Sequence, residues 1–258
     1  MLIAIGYFVV LVSVIGSYAF GGGHLGALYQ PLEFVLIGGA GLGAFVAGNS
    51  KKSMAAVRQA IPMALKGVTY SKDVYMDLMS LLYVVLNKAR REGLMSIESH
   101  IEDAASSPIF ADYPRIVGDA NLMEFITDYL RIMISGNMSA FEIETLMDEE
   151  IETFRHEREV PVHALQNVAD AMPAFGIVAA VMGVIKALAA VDQPPAVLGE
   201  LIAHAMVGTF LGILLAYGFV GPFASRIERC VSETVKVFEC VKVTLLASMN
   251  GYPPQLAV

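Results

Sequence analysis

Four stretches of the chain carry almost no polar side chain: Leu2–Phe20, Leu32–Gly48, Ala171–Ala190 and Leu198–Val220. A helix rises 1.5 Å per residue, so about 20 apolar residues cross the hydrocarbon core of a bilayer. Each stretch therefore predicts one transmembrane helix. The charges they hold are Glu33, Lys186, Glu200 and His204. All lie near helix ends, where side chains reach the interface. Between the second and third stretches the pattern changes. Residues 50–170 hold 12 of the 17 Lys and Arg and 19 of the 25 Asp and Glu. Within this insert, Asp73–Arg91 places Val74, Leu78, Leu81, Leu82, Val85 and Leu86 on one helical stripe. Gly93 ends that helix, and Ser96 reads as the cap of the next. A further helix runs near Leu122–Ser135 and closes at Gly136. A long acidic one covers Ala140–Val160, where Pro161 interrupts it. Arg226–Met249 is again helical and amphipathic. No strand pattern is strong. The reading is an all-α integral membrane protein with four transmembrane helices and a helical cytoplasmic domain inserted between helices 2 and 3. Its segments are 1–49, 50–170, 171–222 and 223–258.

Orientation follows from Lys and Arg in the flanks. The loops Gly21–Gln30 and Val191–Val197 have none, whereas the opposite flanks hold Lys51, Lys52, Arg58, Arg226 and Arg229. Both short loops are thus expected outside, and both termini and the insert in the cytoplasm. The first stretch lacks a basic leader and reads as a retained helix.

Composition sharpens this picture. The chain is 56% hydrophobic, with a mean hydropathy of +0.61, against about 45–50% apolar residues in soluble domains. A net charge of −8 without a basic stripe argues against nucleic acid. Cys230 and Cys240 read as reduced cysteines rather than a disulfide. Asp148, Glu149, Glu150 and Glu152 lie near His156, and Glu152 and His156 share a helix face. Without a metal-ligand spacing, they read as a solvated acidic surface. The glycine-rich run Gly38–Gly43 lies inside an apolar stretch, where Gly39 and Gly43 suit close helix packing better than nucleotide binding. No nucleophile–base pair, cofactor motif or metal site is identifiable, so an enzyme is not expected.

The third and fourth stretches carry small residues at helical spacing: Pro173, Gly176, Ala180, Gly183 and Ala187 on one, Ala205, Thr209, Gly212 and Ala216 on the other. Ordinary close packing accounts for such faces. The functional alternative is a narrow conduit, or a seat for a helix from another chain. Thr209 and Tyr217 are polar points along this wall, and Gly176, Ala180 and Gly212 its small ones. Neither stretch supplies a carboxylate at mid-membrane. Pro173 and Pro222 fall at one depth and suit a hinge as well as helix ends. In the insert, Arg90, Arg91, Glu92 and Glu98 flank Gly93, and such charges either are solvated or dock a charged partner.

The strings "GGHLGALYQPLEF", "YMDLMSLLY", "FEIETLMDEEIET", "PAFGIVAAVMGV" and "LGELIAHAMVGTFLGILLAYGF" resemble the MotA family of the MotA/TolQ/ExbB superfamily, the A subunits of bacterial flagellar stators. The resemblance implies an inner-membrane subunit in a pentameric ring around a MotB dimer, within membrane lipid. It also implies that MotB carries the ion-binding aspartate, that protons flow, and that the cytoplasmic domain drives the rotor protein FliG. By the same resemblance Arg90 and Glu98 contact the rotor, Pro173 and Pro222 couple ion flow to conformation, and Thr209 and Ala180 lie by the channel. An energising subunit of the ExbB/TolQ type and a sodium-driven stator are the alternatives. The two apolar stretches ahead of the insert argue against the first.

Overall fold

The protein is described by a computed structural model covering residues 2–67, 70–104 and 106–258. Every regular element among the described residues is helical. In chain order they are α1 (Leu2–Phe20), α2 (Leu25–Leu28), α3 (Pro31–Gly48), α4 (Lys51–Lys66), α5 (Lys72–Glu92), a 3₁₀ turn (Leu94–Ile97), α6 (Glu98–Glu102), α7 (Pro108–Ala111), α8 (Pro114–Val117), α9 (Ala120–Ser135), α10 (Ala140–Ala189), α11 (Pro195–Leu215), a π-helical turn (Ala216–Val220), α12 (Gly221–Met249) and α13 (Pro254–Ala257). Four of them are long and apolar enough to cross a membrane, as the hydropathy pattern predicts.

The chain divides into two compact units. The first comprises Met1–Gly67 with Arg158–Cys230, the second Val68–Glu157 with Val231–Val258. These limits differ from the segments read off the sequence. Helix α4 and residues 158–170 fall with the apolar helices, although their polarity assigned them to the insert.

In the second unit, the predicted α5 stripe is buried as a block: Val74, Leu78, Leu81, Leu82, Val85 and Leu86, with Ala89 beside them. It faces a core that includes Phe110, Ile116, Leu122, Ile126 and Leu130. The Phe238 ring of α12 meets Phe125 edge-on at 4.9 Å and Phe154 at 4.8 Å. Gly93 ends α5 at φ +92°, a left-handed conformation that favours glycine. Ser96 does not cap α6. It lies inside the 3₁₀ turn, and its hydroxyl donates to the Gly93 carbonyl at 2.6 Å. The cap that does form is at Ser139. Its hydroxyl accepts from the Glu142 N–H, while the Glu142 carboxylate accepts from the Ser139 N–H at 2.8 Å, a reciprocal capping box that starts α10.

Helix α10 runs 50 residues through both Pro161 and Pro173. The expected interruption at Pro161 is absent. Proline removes one backbone hydrogen bond and strains a helix, but here flanking turns continue it, and Pro161 itself is buried.

In the first unit, a core of Ile37, Met172, Ala179, Val207, Leu211 and Ala216 joins α3, α10, α11 and the π turn. Helix α1 contributes no buried residue. Its Tyr7 hydroxyl donates to the Phe219 carbonyl at 2.8 Å, and the two rings lie 4.9 Å apart.

Candidate functional site: the glycine seam and the charged turn

Helices α10 and α11 meet along a seam of small residues. A Cβ added at Gly176 would lie 2.9 Å from the Gly208 carbonyl oxygen, and one at Gly212 would lie 2.7 Å from the Met172 carbonyl oxygen. Added at Gly208, it would sit 2.7 Å from the Ala179 Cβ. Heavy side chains do not fit at these spacings, so glycine lets the two backbones touch. The stripe thus serves close packing within the chain, and Gly176 and Gly212 lie buried against each other's helices rather than on an open wall. Gly183 continues the seam against Ala205. By contrast, Gly39 and Gly43 of α3 meet nothing within 4 Å. The packing expected of that pair is not made inside the chain. Gly41 takes the contact instead, beside Met172 and Val168.

Thr209 and Ala180 are half-buried at the edges of this seam. The Thr209 Cα lies 3.2 Å from a Cβ added at Gly176, and the Ala180 N lies 3.4 Å from one added at Gly208. Tyr217 is exposed within the π turn. Pro173 is half-buried inside α10, and Pro222 is exposed at the start of α12, just after the π turn. A π turn leaves the helical hydrogen-bond register, and such turns concentrate at functional sites.

The structure adds one residue that hydropathy hid. Glu33, in the first turn of α3, does not reach an interface. Its Oε2 is buried without a hydrogen-bond partner, 3.2 Å from where a Cβ on Gly208 would stand. Fifteen residues separate it from Gly48 at the other end of α3, about 22 Å of helix. A carboxyl group therefore lies at the α10–α11 seam, one residue along the chain from Thr209. An acid just inside an apolar run, two residues after Pro31, is the signal that marks it. Intramembrane ionisable side chains are expensive and tend to be functional.

In the second unit, Arg90 lies in the last turn of α5 and Glu98 opens α6, with the Gly93 turn between them. Both are exposed, as is Arg91. Glu92 is occupied by Lys88 at 2.6 Å, and this hydrogen-bonded cation holds its carboxyl below the usual range. Arg90 borders a cleft of about 440 Å³ floored by apolar side chains, among them Leu94, Met133 and Met138. The arrangement presents a cation beside an apolar recess, a combination suited to an acidic helical partner. The acidic surface of α10 is tied into ion pairs: Glu152 with Arg155, and Asp148 with Lys242 at 2.6 Å. Nearby, burial and a hydrogen bond to Glu150 raise the Tyr129 phenol above its ordinary value.

Comparison with known proteins bears on both regions. The profile of the motility protein A N-terminal domain matches residues 4–93. That of the MotA/TolQ/ExbB proton channel family matches residues 119–240. Motility protein A of Salmonella typhimurium is 57% identical over 258 residues, covering 100% of this chain and 88% of that protein. Its counterpart in Escherichia coli is 55% identical over the same extent, and the chemotaxis protein LafT of Vibrio parahaemolyticus is 41% identical over 98% of this chain and 89% of its own. Among solved structures, the flagellar MotAB stator complex from Bacillus subtilis superposes with a TM-score of 0.80 at 26% identity, over 98% of this chain and 91% of that one.

Proposed function

We propose a motor role for this chain on a plain premise: it belongs to the MotA/TolQ/ExbB proton channel family, in its motility protein A branch. Its role is then non-enzymatic. It is a flagellar stator subunit that forms a proton channel with a MotB partner and turns ion flow into torque on the rotor protein FliG.

The observation that carries this reading is the glycine seam. It locks α10 and α11 into one element, flanked by Pro173 on one helix and by the π turn and Pro222 on the other. A locked pair with flexible flanks moves as a body when a neighbouring carboxylate gains or loses charge. The exposed side of the α10 span is apolar, with Ile177, Val181, Val184 and Ile185. That side suits another chain's helix, and a MotB dimer carrying an aspartate supplies it. A pentameric ring of copies in the lipid of the inner membrane closes the site. Residues 50–170 and both termini face the cytoplasm, in keeping with Lys51, Lys52, Arg58, Arg226 and Arg229 on that side. Thr209, Ala180 and Tyr217 border the ion path, while Gly176 and Gly212 hold its wall together. Arg90 and Glu98 meet charged residues of FliG.

The test is swimming. Expressed with its partner in a non-motile stator-deletion strain, the chain restores motility that persists without sodium and collapses when the proton gradient is discharged. Pro173→Ala and Pro222→Ala keep the protein in the membrane and abolish swimming. Motility that follows sodium assigns the other ion, and normal swimming of both proline variants overturns the coupling role.

A further inference from the structure

We propose that a cleft between the start of α1 and the junction of α11 with α12 holds the phosphate headgroup of an anionic phospholipid. The cleft has a volume of about 420 Å³. Leu2, Ile3, Gly6 and Val10 of α1 line one side, an apolar stripe at helical spacing. Ser225, Arg226 and Arg229 line the other, on the first turns of α12. Arg226 and Arg229 are three apart and share a helix face. Neither forms an ion pair among the described residues, and no carboxylate lines the cleft. In a chain of net charge −8, this is a local excess of positive charge.

The chemistry selects the occupant. Two guanidinium forks match phosphate oxygens in geometry and charge, and the Ser225 hydroxyl adds a donor. The Tyr7 hydroxyl is engaged with Phe219 and faces away from this role. A free phosphate would satisfy the arginines and leave the α1 stripe uncovered. A phospholipid satisfies both, with its phosphate on the arginines and its acyl chain along Leu2 to Val10. Basic pockets between transmembrane helices on the cytoplasmic side commonly hold anionic headgroups. The assignment to the inner leaflet rests on the orientation given under Proposed function. The cleft places the start of α1 and the basic flank at the same end of the bundle, as that orientation requires.

The experiment uses the chain in complex with its partner, reconstituted in nanodiscs of phosphatidylcholine with an equal part of phosphatidylglycerol. After detergent release, native mass spectrometry counts the lipids that stay bound. The expected result is retention of phosphatidylglycerol over phosphatidylcholine, reduced about 30-fold in R226Q/R229Q, the factor for two basic side chains near a membrane surface. Arg58→Gln, in α4 and outside the cleft, retains the lipid. Should the double variant fail to fold, Gly6→Leu decides: a Cβ there meets nothing within 4 Å, so the side chain fills the cleft without collision and displaces the acyl chain. Equal retention of both lipids overturns the proposal, as does unchanged retention in R226Q/R229Q or Gly6→Leu, or an equal loss in Arg58→Gln. Release of the lipid by millimolar inorganic phosphate reassigns the site to the free anion and overturns it too. Lipid counting needs neither an ion gradient nor a rotor, so a negative result leaves the stator reading standing. Side-selective labelling of a cysteine at position 58 tests the orientation separately.

Discussion

Helices α1 and α5 are nearly the same length, 19 and 21 residues, yet one buries nothing and the other buries seven side chains. Helix α5 is amphipathic. One third of its surface is apolar, and the chain supplies its own cover for that third. Helix α1 is apolar all round, and the chain covers almost none of it, with Phe8 65% exposed and Leu2 76%. A side chain left open in this way needs lipid or another protein to cover it. The second unit therefore gains stability from its own core, whereas the first gains it from its surroundings and from a few fixed contacts. Of those contacts, the glycine seam is the tightest.

That contrast can be broken at its strongest point first. Gly212→Leu places a side chain against the Met172 carbonyl with no room to shift, so the seam should open and folded protein should vanish from the membrane fraction. Leu82→Ala in the fully buried α5 stripe should cost about 2–5 kcal/mol, read as thermal unfolding of the detergent-solubilised chain. Phe8→Ala removes more side chain, yet it should leave that unfolding nearly unchanged. Equal losses from Leu82→Ala and Phe8→Ala would erase the difference between the two helices. Tyr7→Phe deletes the hydroxyl that ties α1 to the Phe219 carbonyl and should weaken that attachment by about 0.5–1.5 kcal/mol, visible as faster hydrogen exchange around the π turn.

The smallest effect concerns Glu92. Its carboxyl is held low chiefly by the Lys88 hydrogen bond. A depressed carboxylate stabilises the folded state above its unfolded pKa, and that contribution is lost as the pH falls through the folded value. The pair has lysine ahead of glutamate, the weaker order on a helix, and Glu92 is exposed. Glu92→Gln should speed exchange at the end of α5 slightly near neutral pH, with no difference from the parent in acid.

Much of this architecture is readable from side-chain pattern, because a bilayer and a helix each impose a fixed repeat. The α5 stripe, the Gly93 and Gly136 stops and the four apolar spans follow directly from those repeats. What escapes is set by three-dimensional neighbours. Glu33 looks free to reach water when judged by its distance to a helix end, but Gly208 has no side chain to hold it off, so the carboxyl settles against the seam. Pro161 looks like a helix stop, yet buried flanking turns carry the helix through it. The Ser139–Glu142 cap was visible as a spacing, whereas Ser96 suggested a cap that a 3₁₀ turn replaces. For the candidate site, the small-residue faces were legible, but which faces close on each other and which stay open was not. That choice depends on shape, as Gly39 and Gly43 show by remaining uncovered.

The π turn at Ala216–Val220 has one more consequence, a matter of phase. Each residue of an α-helix advances the chain by about 100° around its axis. Removing one residue from the wide turn would restore an ordinary helix and swing everything beyond it by that angle. Ala224 and Ile227, now buried, would rotate off their contacts, and Arg226 and Arg229 would leave the cleft beside α1. A single codon in this short segment therefore acts as an angular setting for the helix that follows. Lineages sharing this fold are free to vary its side chains but not its length.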